Sequence, residues 1–359
     1  MKTRNIFTKL ATLLLAGILS FSLAACGGGT ATSANGASSA SAPSGGNAQS
    51  STNAGKTYKI GLVQLLENGA FADMREGFIA RMAQLGYVEG ENLEIDFKNA
   101  QGDMAALTSI CQKMVDGKVD MIVTIATPPS QIALSTLQNS GSDIPLLFIS
   151  VSDPITAGLV TTFENPDKNA TGTSNFIPID ENFKLADKLT PGIKTYGFLY
   201  TTGEVNAVST IADAKAYCDA NGLAYVEKIV SNSSEIQQAA AALAGQCDAF
   251  FIPNDSVVQS AMPQVAQAAM DAKIPVYGSS AVMVASGAFA TISVGDPETG
   301  AASADMADKI LQGTPVANVP AIVVKDFVTV LNEDTAAAIG VTLPEDVLKD
   351  AVLLKGIEQ

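Results

Sequence analysis

Residues 248–260 read D-A-F-F-I-P-N-D-S-V-V-Q-S. An apolar, aromatic run stops at Pro253, the polar residues Asn254, Asp255 and Ser256 follow, and a helix-like pattern begins at once. Such a run bounded by Pro and small polar residues reads as a buried strand leading into a helix. Asp255 is then either a helix N-cap, accepting orphan N–H groups, or a ligand group at a strand tip. A twin lies upstream at 120–131, D-M-I-V-T-I-A-T-P-P-S-Q. Each is followed by an Ile-Pro strand, I-P-L-L-F-I-S at 144–150 and I-P-V-Y-G-S-S at 274–280. Further upstream, L-G-Y at 85–87 and L-E-I-D-F at 93–97 parallel N-G-L-A-Y-V-E at 221–227. Shared order and spacing predict two lobes wound alike.

Strands are predicted at 58–65, 93–98, 119–126 and 144–150, and again at 195–200, 223–230, 247–253 and 274–278. Helical stretches lie between them, near 71–86, 103–117, 129–140, 181–190, 204–221, 234–245 and 256–272. Nearly continuous apolar strands separated by helices indicate parallel sheets covered on both faces. The fold class is therefore α/β, with two similar doubly wound parallel-sheet lobes. In such sheets ligands bind beyond the carboxyl ends of the strands. The tips there are L-E-N-G-A-F (66–71), T-P-P-S-Q (127–131) and S-V-S-D-P (150–154), then T-T-G-E-V-N (201–206), N-D-S (254–256) and G-S-S (278–280). Each offers hydroxyls, amides or a carboxylate. One such tip is ordinary capping; a cleft rimmed by all of them is a polar binding site.

The N-terminus carries Lys2, Arg4 and Lys9, then an apolar stretch from Leu10 to about Leu23, then L-A-A-C ending at Cys26. This pattern is that of a secretory signal over 1–25, too short for a spanning helix. Residues 26–56 are mainly Gly, Ser, Ala, Thr and Asn, a composition that reads as a flexible tether. About 30 such residues span roughly 30 Å.

The net charge is −15 and becomes more negative once the leader is removed. An acidic chain without basic clusters argues against nucleic acid. Histidine is absent. That removes Ser-His-Asp and Cys-His catalysis and the commonest metal ligand. Cys111, Cys218 and Cys247 lie at no metal-like spacing and read as small core residues, with a Cys218–Cys247 disulfide as the alternative. No nucleophile elbow, P-loop or dinucleotide fingerprint occurs. No catalytic residue, metal or cofactor is expected.

The motifs S-D-P-I-T-A-G-L-V (152–160), N-A-T-G-T-S (169–174), P-N-D-S (253–256) and I-P-V-Y-G (274–278) carry a family resemblance. It continues through G-A-F-A (287–290), G-A-A-S-A-D-M-A-D-K-I-L-Q-G (300–313), V-L-N (330–332) and I-G-V-T-L-P (339–344). With the Leu-Ala-Ala-Cys ending, the chain resembles bacterial ABC-transporter substrate-binding lipoproteins of the type I periplasmic-binding fold, in particular the tryptophan/tyrosine-type branch. The segment E-N-P-D-K-N (164–169) departs from the Pro-Gly-Gly-Asn-like turn of that branch.

The resemblance implies a lipid on Cys26, display on the outer face of the cell membrane, and a multi-stranded hinge. Lobe 1 would hold 57–174 plus about 296–320, and lobe 2 would hold 175–295 plus about 321–359. It further implies capture of a small solute, an aromatic amino acid first, by a monomer that delivers it to an ABC permease and its ATPase. A surface sensor or adhesin, or a nucleoside or sugar ligand, are the alternatives. For an amino acid, Thr127, Ser130 and the amides near 130–131 would take the carboxylate at a helix N-terminus, supplemented by Ser150 and Ser152. Asp255 would take the ammonium, with Asp153 second and Glu67 an alternative. Phe71 would face an aromatic ring. Glu204, Asn206, Asn254 and Ser279 would reach in from the second lobe.

Overall fold

The computed structural model describes residues 55–356; the leader, Cys26 and nearly all of the tether lie outside the described residues. The strands are β1 (Tyr58–Gln64), β2 (Leu93–Asn99), β3 (Met121–Ile125), β4 (Leu146–Ile149), β5 (Ala170–Ser174), β6 (Thr195–Thr201), β7 (Ala224–Val230), β8 (Ala249–Phe251), β9 (Val276–Tyr277), β10 (Ala290–Val294), β11 (Ile322–Val323), β12 (Phe327–Asn332) and β13 (Val352–Leu354). The helices are α1 (Gly69–Gln84), α2 (Met104–Asp116), α3 (Thr127–Ser140), α4 (Ile179–Leu189), α5 (Val205–Asn221), α6 (Ile236–Ala244), α7 (Ser256–Ser260), α8 (Met262–Ala272), α9 (Ala281–Ala285), α10 (Asp296–Leu311), α11 (Glu333–Ile339) and α12 (Glu345–Leu348).

The strands form a six-stranded sheet, ordered β11-β5-β4-β3-β1-β2, and a seven-stranded sheet, ordered β13-β12-β10-β9-β8-β6-β7. Shifting β1–β5 to β6–β10 superimposes one order on the other, so β3 and β8, the twin strands of the sequence, occupy the same place. All pairings are parallel except β10 with β12.

Each sheet is buried on both faces, with the period of two that a strand imposes. Ile60, Leu62, Met121 and Val123 face one core of the first sheet, and Val63 and Ile122 face the other. In the second sheet Tyr196, Phe198 and Phe251 oppose Leu199 and Phe250. The cysteines 111, 218 and 247 are free thiols, so Cys218 and Cys247 do not pair.

The chain passes between the sheets three times, after β5, after β10 and after β11. Ile322–Val323 adds an edge strand beside β5, so the last crossing falls between Val323 and Phe327, slightly later than expected. The helix expected over 256–272 is broken at Ala261, because Pro263 has no N–H to continue α7 and instead starts α8.

Helix α10 returns to the first lobe and packs on α1 at very close range. A Cβ on Gly300 would strike the Met74 carbonyl, and one on Gly77 would strike the Pro297 carbonyl. This contact fixes Phe71 and Met74, on α1, relative to Asp296, the first residue of α10. We expect Gly300→Ala to destabilise the chain by roughly 1–3 kcal/mol in denaturant unfolding, as overpacking does. Gly245→Ala, where nothing lies within 4 Å of the added Cβ, should be nearly neutral. Equal stability of the two variants would contradict the close-packing account.

Candidate functional site

The strand tips of both sheets converge on one cavity of about 530 Å³. From the first lobe it is lined by Phe71 and Met74 of α1, by Ala126 and Thr127 at the start of α3, and by Ser150 and Ser152 beyond β4. From the second lobe come Glu204, Asn206, Asn254, Asp255, Ser256, Gln259 and Ser279. Asp296 completes the wall from the end of β10.

The backbone is strained at two of the tips. Ala126 has φ 73° and ψ 173°, and Ser150 has φ 60°. Such positions cost on the order of 1–3 kcal/mol each and persist where the surroundings over-determine them. Here the Ala126 N–H donates to the Ile149 carbonyl, and the Ser150 N–H donates to the Thr173 hydroxyl. Both strained residues line the cavity. Helix α3 begins without a side-chain cap.

The residues singled out from the sequence divide into two groups. Phe71, Thr127, Ser150, Ser152, Glu204, Asn206, Asn254, Asp255 and Ser279 line the cavity. Ser130 does not: it is fully buried beneath it, bonded to the Thr124 hydroxyl at 2.8 Å and donating to the Ala126 carbonyl at 2.6 Å. Glu67 also stands apart, exposed in a neighbouring groove and paired with Arg75 at 3.2 Å. Asp153 accepts the Thr156 N–H in a local cap and meets the Ser209 hydroxyl of the other lobe at 3.5 Å. Glu67, Asp153 and Ser130 thus lie outside the lining of this cavity.

Asp255 faces the cavity, but its carboxylate is fully engaged within its own lobe. One oxygen accepts the Val257 and Val258 N–H groups at 3.1 and 3.0 Å, capping α7. The other accepts the Thr201 N–H and hydroxyl at 2.7 and 2.8 Å. Asp255 is thus the cap of α7 and also part of the cavity wall, with all four of its hydrogen bonds made inside its own lobe.

Asp296 was missed because its tip follows β10, whose alternating A-T-I-S-V did not read as a buried strand. The signal available was Gly-Asp-Pro at 295–297, like Ser-Asp-Pro at 152–154. The side chain is 8% exposed. Burial first, then the charges of Asp73 and Glu298, pushes its carboxyl up to about 7, and no hydrogen bond holds the charge. Glu204 is 5% exposed. Burial and then the Asp255 charge push it up to about 8, against donation from the Ser256 N–H and hydroxyl. Among the described residues, no lysine or arginine lines the cavity.

Two buried amide atoms there also lack partners. They are Asn206 Oδ1, an acceptor, and Gln259 Nε2, a donor. Gln259 was not anticipated, although it lies one helical turn beyond Ser256 and so on the same face.

The family described as ABC transporter substrate binding protein matches residues 59–355. A tyrosine-binding protein of Clostridioides difficile (strain R20291) is 36% identical over 331 residues, 92% of each chain. The ABC domain from Streptococcus pneumonia in complex with L-Trp superimposes with a TM-score of 0.79 at 30% identity, covering 83% of this chain and 100% of that one. The ligand-free, open structure of CD0873 from Clostridium difficile, a substrate binding protein with adhesive properties, gives 0.66 at 37% identity, covering 83% of this chain and 99% of that one. The chain belongs to the family of ABC transporter substrate-binding proteins, which bind solutes outside the cytoplasm and are not enzymes.

Proposed function

We propose that the cleft captures an aromatic α-amino acid, with Asp296 as the partner of its ammonium group. The carrying observation is electrostatic: Glu204, Asp255 and Asp296 are drawn into one cavity that no basic side chain lines. Burying unpaired carboxylates is costly, and a buried charge is normally paired. A ligand that brings a positive charge offsets that cost; a neutral sugar or nucleoside does not. Asp296 is the carboxylate with no hydrogen bond of its own, so it has the most to gain.

The remaining parts of an amino acid have complements in the same wall. The uncapped start of α3, with the Thr127 hydroxyl, suits a carboxylate through the helix dipole. Phe71, Met74 and Ile177 supply the apolar surface for a ring. The tyrosine-binding relative and the L-Trp complex support the same ligand class.

Within the wider reading, Cys26 carries the lipid, residues 26–56 tether the domain to the outer face of the membrane, and the loaded, monomeric chain presents its solute to a permease driven by an ATPase. Among the described residues no helix is long and apolar enough to cross a membrane. An additional surface-adhesive role is favoured only by the relative with adhesive properties.

A thermal-shift screen against L-tyrosine, L-tryptophan, a pentose and a nucleoside tests the ligand class. We expect the amino acids alone to raise the melting temperature, by about 2.7 kcal/mol of added stability at 100 times the Kd. A shift with the pentose or nucleoside only would overturn the reading. Asp296→Asn should weaken amino-acid binding by about 3 kcal/mol, roughly 100-fold, without lowering apo stability, because it removes an uncompensated buried charge. Asp255→Ala should instead lower apo stability by roughly 2–4 kcal/mol, since it strands the Thr201, Val257 and Val258 donors. Unchanged binding in Asp296→Asn would remove that residue from the site.

A further inference from the structure

Two carboxyls of the second lobe adjoin through consecutive residues. Glu204 stands at the start of α5 and Asp255 at the start of α7. Glu204 Oε1 accepts the Ser256 N–H at 2.9 Å and its Oε2 accepts the Ser256 hydroxyl at 3.3 Å. Asp255 takes a fuller set, from Thr201, Val257 and Val258. Adjacent buried carboxyls do not both ionise cheaply, and hydrogen bonds decide which keeps the charge. By that rule the proton resides on Glu204.

The groups facing Glu204 point the same way. The α7 side contributes the charge of Asp255, and α10 contributes Asp296 to the same wall, itself beside Asp73 and Glu298. From α1, α3 and the tips of β4 and β5 the wall offers Phe71, Met74, Thr127, Ser150, Ser152 and Asn175, all uncharged. Nothing cationic opposes a proton on Glu204. A solute carboxylate entering this wall would be repelled by an ionised Glu204 but hydrogen-bonded by a neutral one. The orphaned Gln259 Nε2 and Asn206 Oδ1 mark the same space as awaiting both an acceptor and a donor.

We propose that Glu204 works as a neutral carboxylic acid that donates a hydrogen bond to the carboxylate of the captured solute, so that capture requires its proton to be in place. The solute part rests on the amino-acid reading above; the protonation part does not. Burial and the Asp255 charge, which push Glu204 up to about 8 from an ordinary 4.5, set the pH window. A group whose value rises on burial favours the buried state fully below its ordinary value. That contribution is lost as pH climbs from 4.5 to about 8.

The test compares wild type with Glu204→Gln, which keeps a neutral donor. Calorimetric titration with L-tyrosine and with L-tryptophan is run near pH 6.5 and near pH 8.5, each in two buffers of different ionisation enthalpy. Because burial already holds the proton on Glu204 up to about 8, we expect wild type to bind without proton uptake at the lower pH, and with fractional uptake and reduced affinity at the higher. Glu204→Gln should take up less and lose less affinity between the two. Equal uptake and equal affinity loss in wild type and variant would overturn the proposal. Should neither amino acid bind, the ligand reading fails separately, and melting curves without ligand decide the protonation. Wild type should lose stability relative to Glu204→Gln as pH rises from about 5 to about 8; parallel curves would overturn it. If Glu204→Gln does not fold, the wild-type heats in the two buffers, or the wild-type melts, carry the test alone.

Discussion

Glu204, Asp255 and Asp296 share a cavity whose lining holds no lysine, arginine or histidine, and that shortage of positive charge conditions the rest of the site. Each carboxylate handles it differently. Asp255 is hydrogen-bonded on both oxygens by donors from its own lobe and doubles as the cap of α7. Glu204 is held mainly by the Ser256 N–H and hydroxyl, a weaker set, which leaves it the natural holder of a proton. Asp296 has neither donors nor a counter-charge among the described residues, and burial, then the charges of Asp73 and Glu298, push against its ionisation. Closing the lobes desolvates all of these groups together. A solute that carries an ammonium relieves that cost, so charge and closure become linked quantities.

Packing converts this local constraint into a property of the fold. Asp296 opens α10, and α10 lies against α1 so closely that Gly77 and Gly300 admit no Cβ. Asp296, the proposed ammonium partner, and the apolar wall of Phe71 and Met74 are thus held on one pair of helices, while Glu204 and Asp255 belong to the other sheet. Three connections join the sheets, after β5, β10 and β11. A hinge motion there would separate the two sets of side chains without disturbing either, which is how binding proteins of this kind open and close.

Much of this was legible in the sequence. The twins at 120–131 and 248–260 mark β3 and β8, which hold equivalent places in their sheets, and the tips beyond them do line one cavity. Side-chain direction was not legible. Ser130 sits one helical turn past Ala126 and folds back to its carbonyl, and Glu67 is drawn away by Arg75. Both depend on contacts that no local pattern encodes. Asp296 escaped notice because β10 pairs between β9 and an antiparallel β12 and alternates small polar with apolar residues, so no long apolar run announces it. The break at Pro263 was readable, since proline cannot continue a helix.

The central claim is that closure of this cleft requires a positive charge from the solute. It is tested most directly by comparing the affinity of L-tyrosine with that of its des-amino analogue, 3-(4-hydroxyphenyl)propanoate, by titration calorimetry at one pH. The account expects loss of the ammonium to weaken binding by roughly 100-fold or more, in line with the cost of leaving a buried charge unpaired. Equal affinity for the two compounds would contradict it.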